Sequence, residues 1–73
     1  METRFRCRAY GKSELAQLYY PFLSPSHARR LFNRELLACR QLSATLRRQA
    51  WHPYCRVFSP RQVQTIVRFL GEP

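Results

Sequence analysis

Two Ser-Pro pairs, Ser24-Pro25 and Ser59-Pro60, constrain this chain more than any other feature, because each fixes the start of a helix. A serine at the cap accepts a hydrogen bond from an orphan amide of the first turn, and a proline at the first helical position has no N–H to lose. The second start is the stronger. Gln62 completes a capping box with Ser59, Phe58 can staple onto Val63, and Val63, Ile66, Val67 and Leu70 recur at helical spacing until Gly71 supplies a stop. With helices opening at these two points, a chain of 73 residues has room for one core, so the expectation is a single domain over 1–73. A chain so short hides only ~60% of its unfolded surface, which leaves it a thin stability margin.

The remaining elements follow from periodicity. Arg4 to Tyr10 alternates, with Phe5, Cys7 and Ala9 on one side and arginines on the other, which predicts a half-buried strand ended by Gly11. Ser13 then reads as the cap of a first helix in which Leu15, Leu18 and Tyr19 share a face and which Pro21 stops. In the helix opening at Ser24, Ala28, Leu31, Phe32, Leu36 and Cys39 form the packed side, while Ser26, Arg29, Arg30, Asn33 and Arg34 gather on the opposite flank. No Gly or Pro interrupts Ser26 to Trp51, so Leu42, Leu46 and Ala50 either continue that helix or, with Ser43 as a cap, form a third. A break between Cys39 and Ser43 is expected, since an unbroken helix would leave much of its apolar stripe without a partner. Tyr54 to Phe58 alternates again and predicts a second strand paired with the first. The expected fold is mainly α, winged helix-turn-helix-like, with three to four helices and a small two-stranded ribbon in the order β-α-α-α-β-α.

Charge narrows the function. Thirteen basic residues, twelve of them arginine, face four glutamates, a formal net charge of +9 and a sequence pI of about 10.8. Nucleic acid is the default partner at that balance, and arginine's fork suits phosphate and guanine better than it suits a merely solvated surface. The charge is uneven: residues 1–12 carry +3, residues 13–23 carry -1 and residues 24–50 carry +5. Two closely spaced helices with a basic second member fit a helix-turn-helix unit whose second helix enters a major groove. Ser26, Arg29, Arg30 and Asn33 are the expected base readers, with His27 a weaker candidate, because arginine bridges guanine O6 and N7 and asparagine pairs with adenine. Lys12, Arg34, Arg47, Arg48 and Arg61 suit phosphates. Arg4, Arg6, Arg8 and Arg56 on the paired strands would act as a wing.

Other chemistries find little support. The apolar runs fall far short of a bilayer span, and Met1 to Arg6 has no apolar signal core, so a cytoplasmic protein is expected. Cys7, Cys39 and Cys55 form an odd set without a C-x-x-C and read as small apolar fillers in a reducing compartment. His52-x-x-Cys55, with Cys7 and His27, lacks the paired spacing of zinc modules, and Glu2, Glu14, Glu35 and Glu72 are too scattered for acid–base work. No metal, cofactor, small-molecule substrate or enzymatic role is expected. Trp51, Tyr54 and Tyr10 have the chemistry to stack on single-stranded bases but read as core, as does the cluster Tyr19, Tyr20 and Phe22.

Ser13 to Tyr19, Ser24 to Arg30, and Tyr54-Cys55-Arg56-Val57-Phe58-Ser59 leading into Val63 to Val67 resemble the winged-helix DNA-binding domains of MerR-type regulators and phage excisionases. The sequence departs from them in having no glycine in the turn and a longer helical spacer, residues 40–51. Over nearly its whole length, from Tyr10-Gly11-Lys12-Ser13-Glu14-Leu15-Ala16 to Leu70-Gly71-Glu72-Pro73, the chain is similar to a family of short proteins from Bacteroides-type bacteria, a resemblance that implies no activity. The expectation is a small duplex-DNA-binding protein, a regulator or an architectural accessory, with a protein partner or side-by-side copies on DNA. The alternative is a protein-interaction adaptor on the same scaffold.

Overall fold

In the structure, a computed structural model that describes residues 5–73, the elements run β1 (Tyr10–Gly11), α1 (Lys12–Tyr19), α2 (Pro25–Ala38), α3 (Arg40–Arg48), β2 (Val57–Phe58) and α4 (Pro60–Leu70). The order β-α-α-α-β-α is the one the sequence leads one to expect. Both Ser-Pro starts are used. Ser24 Oγ accepts from the His27 N–H at 3.3 Å, and Ser59 Oγ accepts from the Gln62 N–H at 3.2 Å while Gln62 Oε1 accepts from the Ser59 N–H at 3.0 Å. At the far end of α4, Gly71 has φ +85° and its N–H closes on the Val67 carbonyl at 2.8 Å.

The core is one cluster: Leu15 and Ala16 from α1, Ala28, Phe32 and Leu36 from α2, Leu42 and Leu46 from α3, Trp51, Phe58, and Val63 and Ile66 from α4, with Tyr10 beside them. α1 packs chiefly on α2, α2 on α3 and α3 on α4, and the β1–β2 pair joins the start of the chain to its return. That pair is antiparallel, with Tyr10 opposite Phe58 and Gly11 opposite Val57. No helix of the described residues is long and apolar enough to cross a membrane.

The α2–α3 break falls at Cys39, whose extended backbone (φ −92°, ψ 103°) interrupts the helix for a single residue. Cys39 is itself the cap of α3, and Ser43 lies inside that helix rather than at its start. The end of α3 is a Schellman motif: the Trp51 N–H reaches the Leu46 carbonyl at 3.1 Å and the Ala50 N–H reaches the Arg47 carbonyl at 3.2 Å. Leu46 and Trp51 supply the buried apolar pair that accompanies such an end. The motif needs a left-handed residue, and here it is Ala50, at φ 65°, where glycine is the usual occupant. Ala50 is therefore exposed in a turn, not the last member of an apolar stripe.

Among the described residues of the strand expected from Arg4 to Tyr10, only Tyr10 is in a strand, β1 being Tyr10–Gly11, and the strand from Tyr54 to Phe58 shrinks to Val57–Phe58. Pairing stops because, in this antiparallel register, residues 5–9 would face Ser59 onward, where α4 begins, while the residues before Val57 turn away opposite the start of α1. Residues 5–9 instead wrap the Tyr10 ring: Phe5 stacks on it at 5.4 Å, the Arg8 guanidinium lies 3.9 Å from its centroid, and its hydroxyl donates to the Arg6 carbonyl at 2.9 Å. Cys7 and Ala9 are exposed and fill no core position, although Cys39 and Cys55 do pack partly against it. α1 starts before Ser13, capped by Gly11, because the Glu14 carboxylate reaches back to accept the Gly11 N–H at 3.2 Å. Leu18 is exposed on α1, Ala16 taking the buried position, and Phe22 stands 97% exposed in the turn rather than joining Tyr19 in the core.

Two predictions follow from these ends. Ala50→Gly relieves the left-handed strain and should stabilise the domain by about 1 kcal/mol in chemical denaturation; an equal loss would show that Ala50 is not strained. The Tyr19 hydroxyl donates to the Gly71 carbonyl at 2.5 Å, and burial, with Glu72 nearby, pushes this phenol up from 10.0 to about 12. The unfolded phenol ionises first, so the contribution is complete below pH 10 and is lost as pH rises towards about 12. Absorbance titration should show one phenol ionising near pH 12 that disappears in Tyr19→Phe; an unchanged titration would contradict the assignment.

Candidate nucleic-acid interface

The early turns of α2 form one wall of a cleft of about 670 Å³, and Ser26, Arg29, Arg30 and Asn33 all line it. Pro53, Tyr54, Cys55 and Arg56, the segment leading into β2, form the opposite wall, and Lys12 and Ser13 at the start of α1 lie between. The four residues singled out as base readers therefore share one surface. They face a cleft, however, rather than projecting from a free ridge.

Backbone geometry holds the walls apart. The Lys12 N–H donates to the Arg56 carbonyl at 2.7 Å, continuing the β1–β2 pairing by one step, and the Lys12 ammonium donates to the Pro53 carbonyl. Lys12 is 8% exposed, so it anchors the far wall instead of standing free for a phosphate. Burial lowers its pKa below the usual lysine value; Cys55 opposes the shift, and the neighbouring Arg29 charge, a weaker influence, adds to it. Lys12, Arg29, Arg30 and Arg56 give the cleft four cationic side chains, and among the described residues no glutamate lines it. Such a site draws anions, and the low-dielectric walls concentrate the effect.

Arg29, Arg30 and Ser26 are exposed, as is His27, which does not line the cleft. Asn33 is only half-buried as a residue, yet its Oδ1 is sealed from solvent without a donor. A two-pronged contact to adenine would require this amide to turn outwards. Spacer residues 40–51 contribute nothing to the cleft, since α3 packs elsewhere.

The residues assigned to phosphates and wing are dispersed. Arg34, Arg47, Arg48 and Arg61 are exposed on α2, at the end of α3 and at the start of α4, outside the cleft, and Arg6 is exposed in the N-terminal segment. Arg8 is engaged with Glu14 at 3.0 Å, the one ion pair among the described residues, which holds the Glu14 carboxyl below its usual range. Arg4 lies outside the described residues. Of the described wing arginines, Arg6, Arg8 and Arg56, only Arg56 reaches the cleft, and it precedes β2 rather than sitting on a strand.

Sequence reasoning missed Ser13 and Pro53 as cleft residues, and it placed Tyr54 in the core, where the structure leaves it 86% exposed. The core assignment of Tyr54 rested on its lying on a strand, whereas the chain turns at residues 53–54 and the strand begins only at Val57. Trp51 and Tyr10 are buried as expected. At the expected-against metal motif, the His52 N–H donates to Cys55 Sγ at 3.4 Å, and among the described residues no three His, Cys, Asp or Glu side chains gather as ligands.

Neither a curated protein nor a solved structure matches the chain. Over residues 6–73 it matches the family described as Domain of unknown function (DUF4248), and it belongs to that family.

Proposed function

We propose that this domain binds duplex DNA through the arginine-bearing side of α2 and the segment facing it across the cleft, acting in the cytoplasm as a transcriptional regulator or an architectural accessory. The observation that carries the reading is the convergence of Ser26, Arg29, Arg30 and Asn33 with Arg56 and Lys12 in one cleft that no carboxylate of the described residues lines. Protein surfaces of mixed function intersperse both signs; a one-sign concave strip suits a polyanion. In this reading α2 enters a major groove, Arg29 and Arg30 fork onto guanine, and Arg56 in the facing segment grips a flanking phosphate. The two helices joined by residues 20–24 support the same docking. A domain with one reading helix has limited specificity, so it works beside a second copy or a protein partner.

Fluorescence anisotropy with a labelled duplex at several salt concentrations tests the reading. Each neutralised phosphate contributes about 0.9 to the slope of log affinity against log salt, so a slope steeper than about −2.5 is expected. Arg29→Ala with Arg30→Ala should erase preference for a selected site while retaining part of the non-specific affinity. Absence of binding at low salt would overturn the DNA reading and leave the arginines to meet an acidic protein surface.

A further inference from the structure

Tyr54 is the described aromatic at the cleft that the core does not absorb. Tyr10 and Trp51, which share its base-stacking chemistry, are 5% and 3% exposed, whereas Tyr54 is 86% exposed and lines the cleft beside Arg56. An aromatic ring in water forgoes the burial that is its largest energetic asset. Here the backbone beneath it is nonetheless immobilised. The Tyr54 N–H donates to His52 Nδ1 at 3.2 Å, the Cys55 N–H donates to the His52 carbonyl at 3.0 Å, and the Lys12 ammonium ties down the Pro53 carbonyl. The His52 ring, 6.4 Å away and tilted by 47°, stands beside the phenol without covering it.

A rigidly carried, uncovered ring at the rim of a cationic groove combines the two parts that single-strand recognition needs. One is a charged track for phosphates, and the other is a flat face on which a base can stack whatever its identity. We propose that Tyr54 is a stacking platform for an unpaired nucleobase, and that the preferred ligand of the cleft is a DNA duplex locally opened to a single strand. This rests on the reading of the cleft as a nucleic-acid site, and it names the form of nucleic acid that site takes. Arg29, Arg30 and Arg56 hold the sugar-phosphate chain of the opened strand while one of its bases swings onto the phenol.

Three probes of equal length decide it: an intact duplex, the same duplex with a short internal gap of unpaired thymidines, and that gap filled with abasic residues. The protein should bind the thymidine gap on the order of ten-fold more tightly than the abasic gap, with tyrosine fluorescence quenched only by the former. Tyr54→Leu should bring the two gapped probes to equal affinity, and Tyr54→Phe should keep the difference. Because the side chain is 86% exposed, neither substitution disturbs the core. Equal binding of both gaps by the unsubstituted protein, or a uniform loss on all probes in Tyr54→Leu, would overturn the stacking role and leave duplex binding standing. No binding to any probe would remove both.

Discussion

The ring of Phe32 is the contact on which the rest of the structure depends. It is fully buried in α2, stacks on Tyr19 of α1 at 5.2 Å and meets Phe58 of β2 edge-on at 6.0 Å. Aromatic pairs of these geometries add about 0.5–1.5 kcal/mol each beyond simple burial. The contact unites α1, α2 and the returning strand, and since Phe58 is bound to β1 across from Tyr10, the residues just before it are carried opposite α2. The cleft is therefore a consequence of the core: a ring on the inner side of α2 determines what its outer side will face.

The return of the chain to β2 has its own device. A fully right-handed end to α3 would send residues 49–56 away from the core. The Schellman turn at Ala50 reverses them and buries Trp51. Side-chain amides then lock the corner to α4, with Gln62 Nε2 donating to the Gln49 carbonyl at 2.7 Å and Gln49 Nε2 donating to Thr65 Oγ1 at 2.9 Å. Gln62 thus serves twice, as the capping-box partner of Ser59 and as a strut to α3, which accounts for its burial.

Legibility in the sequence followed the strength of the local chemistry. The Ser-Pro starts and the apolar spacing of α2 and α4 dictate their helices whatever surrounds them, so element order, one break near Cys39 and most of the core could be read from the residues. The residues on the cleft wall of α2 were readable for the same reason, since helical spacing alone places Ser26, Arg29, Arg30 and Asn33 together. Alternation was a poorer guide: Arg4 to Tyr10 has the pattern of a strand, but a strand exists only where a partner runs alongside, and Val57–Phe58 offers two residues. Ala50 carried no sign of a left-handed turn because glycine usually marks one. Lys12 could not be recognised as an anchor, because its acceptor, the Pro53 carbonyl, is distant in sequence and a backbone oxygen has no signature there.

Excess positive charge in a small domain opposes folding through self-repulsion, and this chain accepts it: among the described arginines only Arg8 meets a carboxylate. The cost is offset when a polyanion occupies the cleft, which links the packing around Phe32 to the proposed function. Backbone amide NMR during titration with a short duplex is the most direct test of that link. The account requires the largest chemical-shift changes at Ser26, Arg29, Arg30, Asn33 and residues 53–56, on both walls of the cleft together. Changes confined to α3 and α4, or none at low salt, would contradict it.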